Sequence, residues 1–275
     1  EVAYQTFLKR MPDNDGKKYY LQALRRKSIS RWSVLHSITQ SSEFKQIYGL
    51  KVHPLDAQHQ ARMMLIQRCL PSAKVIVDLG GASNSSTGAL LDMGYPYDPQ
   101  KIYLVDLPPD QRFQKTETEH PPELTTSEGI TVHHLYQSMA APLPIEDESV
   151  DLVWSGESIE HITEEEVGDV CQEVYRILKP GAYFCMDTPN ALLTRIQSPE
   201  ALIHPEHKKE YYVHELKGKL EHWGFEILEP KGICPMPESL QSGVFLQEEI
   251  ASNIALSEDP EKGYLFYIKA RKASL

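Results

Sequence analysis

The stretch Val75–Leu90, VIVDLGGASNSSTGAL, constrains the fold more than any other part of the chain. It opens on an apolar run, Val75-Ile76-Val77, of the kind that forms a strand buried on both faces. Asp78 follows, then Gly80 and Gly81, then small residues through Ala82 as far as Thr87, and then an apolar segment able to start a helix over Gly88–Met93. A strand, a tight small-residue turn and a helix form the entry to a nucleotide site. The turn lets a ligand approach the backbone, and the helix N-terminus offers free N–H groups. An ordinary βα turn has the same outline, so the residues downstream have to decide between the two.

Ile102–Val105 reads as a second strand and ends in Asp106, 26 positions after Gly80, with Leu107 next. An acid at that strand end is placed to accept both hydroxyls of a ribose. Pro108-Pro109 stops the strand, and residues 110–129 are polar with no readable period. Ile130–Tyr136 is a third strand, followed by Ser138 and Met139 at the sheet edge where an adenine would lie; Met139 suits plain packing equally well. Ser149–Trp154 is a fourth buried strand and runs into Ser155-Gly156-Glu157-Ser158-Ile159-Glu160-His161. Thr163 caps a long amphipathic helix through Leu178, with acids in its first turn as the helix dipole favours. Lys179-Pro180-Gly181 ends that helix, and Ala182–Met186 is the fifth strand. His214–Trp223 reads as a helix, Phe225–Leu228 as a strand, Val244–Ala255 as a helix and Tyr264–Ala270 as the last strand.

Upstream, residues 1–50 form a separate helical pattern, and residues 51–275 the main domain. Tyr4, Phe7 and Leu8 recur at helical spacing; Pro12–Gly16 is a turn; Tyr19, Tyr20, Leu21 and Leu24 form the next apolar face. Ser28-Ile29-Ser30 is a second break, Trp32, Val34, Leu35 and Ile38 continue, and Ser41–Phe44 starts a last short helix. Lys51–Pro54 is a joint, and Leu55–Leu70 is a helix with Ala57, Ala61, Met64 and Leu65 on its apolar face. The net charge of −11 argues against a general nucleic-acid partner, because phosphate contacts need surplus Lys and Arg. Cys69, Cys171, Cys185 and Cys234 are widely spaced with no CxxC pair, the pattern of buried thiols in a reducing compartment. No apolar run is long enough to span a bilayer and no signal-peptide pattern appears, so a cytoplasmic protein is expected. The first residue is Glu1 and not a methionine, as expected of a trimmed chain or a piece of a longer one.

Five pieces occur in a fixed order: Asp78-Leu79-Gly80-Gly81; Asp106; Val150–Trp154 with Glu160-His161; Leu178–Gly181; and Gly224-Phe225-Glu226. With them the chain resembles a class I S-adenosylmethionine-dependent methyltransferase over about residues 60–272. Its likeness is to the branch of ubiquinone-pathway O-methyltransferases and bacterial sugar methyltransferases. The resemblance implies an α/β, Rossmann-like sheet of seven strands with the last antiparallel, and S-adenosylmethionine as cofactor. It departs in the turn, where Ala82 and Asn84 stand at the family's second and third glycine positions. Residues 1–48 resemble a small helical bacterial domain of unassigned function, found in secreted proteins and in enzymes of surface-polysaccharide assembly; it is a candidate docking module.

The resemblance implies a cofactor site of Asp78, Gly80, Gly81, Ala82, Asp106, Leu107, Ser138, Met139, Ser155 and Gly156. A hydroxyl acceptor must lose a proton, so a base near the methyl group is useful. His161 is the candidate base, with Glu160 beside it and His207 in the covering segment; a packing role for His161 stays open. Glu157, Glu160 and His161, at i, i+3 and i+4, would share a face if helical. In some ubiquinone-type enzymes a similar pattern binds a divalent cation, so Mg²⁺ is a secondary expectation. In the family this chain resembles, the segment holding Arg195–Pro199 and His204–Tyr212 covers the acceptor, and it is rich in groups that bond a polyhydroxylated ligand; a solvated polar loop is the alternative, and Ile233–Pro237 is either a further wall or a plain turn. The expected function is O-methylation of a sugar hydroxyl in bacterial surface-glycan biosynthesis. A phenol or quinone-precursor methyltransferase and a non-catalytic scaffold of the same fold are the alternatives.

Overall fold

The computed structural model describes residues 1–25, 31–49, 52–81, 83, 85–112 and 120–274. Eleven helices are present among them: α1 (Val2–Leu8), α2 (Asn14–Arg25), α3 (Arg31–Gln40), α4 (Ser42–Ile47), α5 (Pro54–Cys69), α6 (Ala89–Asp92), α7 (Glu164–Ile177), α8 (Ala191–Gln197), α9 (Val213–His222), α10 (Pro237–Ser242) and α11 (Glu248–Ser252). The strands are β1 (Val75–Leu79), β2 (Lys101–Asp106), β3 (Glu123–Thr125), β4 (Thr131–Tyr136), β5 (Val150–Gly156), β6 (Leu178–Pro189), β7 (Phe225–Pro235), β8 (Leu256–Ser257) and β9 (Gly263–Lys272).

The apolar run of β1 sits mid-sheet, hydrogen-bonded in parallel to β2 on one side and β5 on the other. The sheet order is β3-β4-β2-β1-β5-β6-β9-β7-β8. β9 lies antiparallel between β6 and β7, as the resemblance implies for the last strand. Among the described residues the strand count is nine and not seven, because β3 and β8 extend the two edges. Segments of three and two residues carry no period that a sequence can show. One face packs α7 and α9 on the sheet through Val170, Val174, Leu216 and Leu220. The other packs α5 through Ala57, Ala61, Leu65 and Ile66.

Local chemistry fixes the helix ends. The Thr163 hydroxyl accepts the Glu166 N–H, and the Glu166 carboxylate accepts the Thr163 N–H. This reciprocal cap starts α7 beneath three acids, Glu164–Glu166. Three sequence boundaries move. β6 starts at Leu178, directly at the helix end, with a bulge opposite Val150–Leu152 absorbing the Pro-Gly pair. The expected helix over Val244–Ala255 shrinks to the short α11, and a further short helix, α10, lies before it and ends at Gly243 in a left-handed conformation (φ 68°). The helix after the glycine-rich turn is a single turn, α6.

The first 49 residues supply α1–α4. Arg10 holds them together with two bonds to the Glu43 carboxylate, 2.6 and 2.7 Å, and a third to Asp13 at 3.3 Å. The Ser28-Ile29-Ser30 break and Lys51 of the joint lie outside the described residues. Lys45 pairs with Asp56 at 2.9 Å, which ties α4 to α5. Among the described residues no helix is long and apolar enough to cross a membrane. Cys171, Cys185 and Cys234 are buried and Cys69 is half-buried, all four as free thiols.

Candidate active site

The carboxyl ends of β1, β2, β5 and β6 converge where a parallel sheet presents its ligand crevice. Asp78 closes β1 with its side chain buried, accepting the Leu90 N–H at 3.2 Å. Burial pushes its carboxyl up to about 7. Gly80 turns away with φ 71°, and a Cβ there would stand 2.6 Å from the Ser158 Cβ. The turn after β1 therefore touches the turn after β5, and only glycine permits both the conformation and the contact. The Gly81 carbonyl accepts the Ala89 N–H at 2.9 Å. Ala82 and Asn84 lie outside the described residues.

Asp106 ends β2 with one oxygen accepting the Leu107 N–H at 2.7 Å and lying 3.4 Å from the Arg112 guanidinium, whose Nε donates to the Leu107 carbonyl. Leu107 beside it is exposed. Ser138 caps its own turn by accepting the Ala140 N–H, and Met139 packs on the core with its Cε 3.9 Å from where a Gly80 Cβ would be. The hydroxyls of Ser155 and Ser158 are 2.6 Å apart and buried. Gly80 thus stands against Ser158 and Met139, with Ser155 bonded to Ser158 and Gly156 at the adjoining tip of β5.

Behind that tip lies a charged group that sequence reasoning missed. Arg62 of α5 gives two bonds to Asp187, 2.6 and 3.0 Å, and a third contact of 2.5 Å to Glu157. Asp187 also accepts the Glu157 N–H at 3.0 Å. Glu157 has φ 48°, a left-handed conformation uncommon for a residue with a side chain. Glu157, Glu160 and His161 therefore do not share a helical face: Glu157 is turned to Arg62, and only Ile159–His161 makes a 3-10 turn. No local pattern marks Arg62, since an Arg on a helix is by default a surface residue.

Glu160 is 1% exposed, and its carboxyl accepts the Thr188 hydroxyl at 2.9 Å. Burial, reinforced by the charge of Glu157, raises it well above the ordinary glutamate range. The covering segment is fastened over it, since the Glu160 carbonyl accepts Lys208 N–H at 2.7 Å and Lys209 N–H at 3.3 Å. That segment brings His207 to His161, ring centres 5.0 Å apart and edge to face, with His204 at 6.1 Å. Burial lowers the His161 imidazole, helped by nearby His207, so it is neutral and able to accept a proton at neutral pH. Donor atoms of Glu160, His161 and His207 all lie within 4.8 Å of one another. This trio has the chemistry to share a cation, and His207 takes the place in it that the sequence pattern gave to Glu157.

His207 is itself held. Its Nδ1 is 2.9 Å from the Glu210 carboxylate, which also accepts the Thr194 hydroxyl at 2.6 Å and the Ile203 N–H at 2.8 Å. Those bonds outweigh burial and keep Glu210 below the ordinary range, hence ionised. An ionised carboxylate only accepts, so His207 donates from Nδ1 and turns Nε2 elsewhere. Of the remaining cover, Arg195 bonds the Ala201 carbonyl and Gln197 accepts the Tyr264 hydroxyl. Ile233–Pro235 belongs to β7, and Ile233, Cys234 and Met236 are fully buried, so this stretch is core and not an acceptor wall.

Residues 77–186 match the model of a family described as a methyltransferase domain. Over 93 residues the chain is 34% identical to a curated protein of Mycolicibacterium smegmatis described as a probable S-adenosylmethionine-dependent methyltransferase. Residues 77–186 are a class I S-adenosylmethionine-dependent methyltransferase domain. The family takes S-adenosylmethionine as its cofactor, and the cleft fits such a group: buried Asp78, the close-approach Gly80 and Asp106 stand where the backbone turns open. The aligned part is 34% of this chain, and it spans about a third (35%) of the curated relative's own length. Residues 1–48 match a second model, a domain of unknown function (DUF4214). The methyltransferase fold is also seen in solved structures. A Haloferax volcanii methyltransferase, solved with the activator Trm112, has a TM-score of 0.52 at 18% identity, covering 80% of this chain and 91% of the other. A Thermotoga maritima S-adenosylmethionine-dependent methyltransferase has a TM-score of 0.50 at 17% identity, covering 78% and 88%.

Proposed function

We propose that the chain is a cytoplasmic O-methyltransferase that acts on a sugar hydroxyl in bacterial surface-glycan biosynthesis, with residues 1–50 as a separate helical docking unit. The observation that carries this reading is the polar cover. The His204–Tyr212 segment is hydrogen-bonded down onto Glu160 and sets His207 against His161 at the mouth of the cofactor cleft. A cover of imidazoles, carboxylates and lysines suits a polyhydroxylated acceptor better than a phenol, which would call for apolar walls.

The bound cofactor supplies a methyl group activated on a sulfonium. The chain's part is alignment, which can account for much of the rate in an in-line displacement, and proton management. Asp106 accepts the ribose hydroxyls, with Leu107, Ser138 and Met139 around the adenine. Gly80, Gly81, Ala82, Ser155 and Gly156 form the close-approach walls. Neutral His161 takes the acceptor's hydroxyl proton. His207, oriented by Glu210, places the acceptor, and Glu160, its carboxyl raised by burial, lies beneath both.

The test is incubation with labelled cofactor and a panel of nucleotide sugars, glycans and phenols. Label is expected in a sugar, with His161→Ala slowing transfer roughly 10²–10⁴-fold, the usual yield of a positioned base. His207→Ala is expected to raise KM more than it lowers kcat. Label in phenols alone would favour the quinone-precursor reading. Activity lost on chelation and restored by Mg²⁺ would move the Glu160–His161–His207 trio from proton transfer to cation binding.

A further inference from the structure

Between Gly81 and Gly88 the cofactor turn has no glycine, so something other than backbone freedom must set its shape. The structure shows side-chain bonds in that place. The Ser83 hydroxyl donates to Asp92 at 2.7 Å, and the single Ser85 O–H is directed at the same carboxylate, 2.8 Å from each of its oxygens. Ser83 Oγ accepts the Ser85 N–H at 3.1 Å, and Ser85 Oγ meets the Thr87 hydroxyl at 3.1 Å. One acid therefore gathers the turn, through bonds of the charge-assisted kind. Asp92 sits on α6, a single turn too short to be stable by itself.

What steadies that turn comes from the N-terminal helices. The Tyr19 hydroxyl of α2 donates to the Asp92 carbonyl at 3.4 Å, and the Tyr19 ring lies on Gly94. Gly94 has φ 89°, and a Cβ there would come within 2.6 Å of the ring, so the contact needs glycine. Gln22 of the same helix donates to the Pro96 carbonyl at 3.0 Å, and the Lys18 ammonium lies 5.0 Å from the centre of the Tyr97 ring. Successive residues of α2 thus grip the 92–97 turn, whose first residue holds the cofactor turn.

We propose that Asp92 is the positioning residue that gives the glycine-poor cofactor turn its shape, and that α2 holds Asp92 in place, so that the N-terminal helices set cofactor affinity. This rests on the assignment of the cleft to S-adenosylmethionine. The helices are then more than an appendage: whatever docks on them and shifts α2 acts on the cofactor site through one carboxylate.

The experiment is calorimetric titration of the full chain with S-adenosylhomocysteine, with melting temperatures measured alongside. Asp92→Ala is expected to weaken binding roughly tenfold, the weight of one charge-assisted hydrogen bond, and Asp92→Asn to recover part of it, because the amide oxygen still accepts. Tyr19→Ala with Gln22→Ala, which touches no residue of the cleft, is expected to weaken binding at least threefold. Added to Asp92→Ala, that pair should weaken it no further, because both act through one element. Unchanged affinity in Asp92→Ala, or additive effects of the two changes, would overturn the proposal while leaving the cofactor assignment intact. A wild-type chain that binds no S-adenosylhomocysteine would instead remove the assignment and the proposal together.

Discussion

Asp78 is an acid that the fold holds back from ionising. Its ordinary value is 3.8 and burial raises it to about 7. Between those values the folded chain keeps a proton that the unfolded chain has lost, so folding stability falls as pH rises through that window and is level above it. Asp78→Asn keeps an oxygen for the Leu90 N–H and removes the titration. Its urea midpoint is therefore expected to gain on wild type as pH goes from about 4 to 7, with a constant gap beyond. A gap that does not change with pH would show that Asp78 is ionised throughout. At this scale the sequence was informative where a residue type is forced. Asp78, Gly80 and Asp106 stand where the turn chemistry puts them. Glu157 was misplaced, because its left-handed backbone turns it to Arg62, and a helical face cannot be read through such a residue. Glu210 was visible only as one acid of a polar run. Its orienting role depends on Thr194 and Ile203, which fold back on it from elsewhere.

At the scale of elements, α5 is pinned to the sheet's ligand edge by Arg62. Its side chain is 11% exposed and that of Asp187 is fully buried. Removing one member of a buried ion pair leaves a desolvated charge, at a cost of about 3–5 kcal/mol. Arg62→Met is expected to destabilise the chain by that order in urea unfolding, and Arg62→Met with Asp187→Asn to recover a substantial part. A single variant within about 0.5 kcal/mol of wild type would contradict the role given to the pair. Long elements with a strong period, β1, β2, β4, β5, α5, α7 and β9, were legible to within a residue or two. β7 runs on to Pro235, past its expected end at Leu228, because Ile233 pairs with both β8 and β9. Pairing partners that distant in sequence leave no local signal.

At the scale of the molecule, the order of the strands follows from one family of weak motifs in sequence, and the sheet they build puts β1 at its centre. The N-terminal helices read as a separate pattern, yet the structure seats α2 on the turn that follows α6. That contact joins Tyr19 and Gln22 to residues more than 70 positions away, beyond the reach of any periodicity.

The ends of β1, β2 and β5 are proposed to bind S-adenosylmethionine. Calorimetric titration with S-adenosylmethionine and its demethylated product, in wild type and in Asp106→Ala, tests this most directly. One site for each ligand is expected, with a loss of about 1.5–3 kcal/mol for both in the variant, the weight of hydrogen bonds to a charged group. A folded wild-type chain that binds neither ligand, or an Asp106→Ala variant that binds both as wild type does, would contradict that proposal.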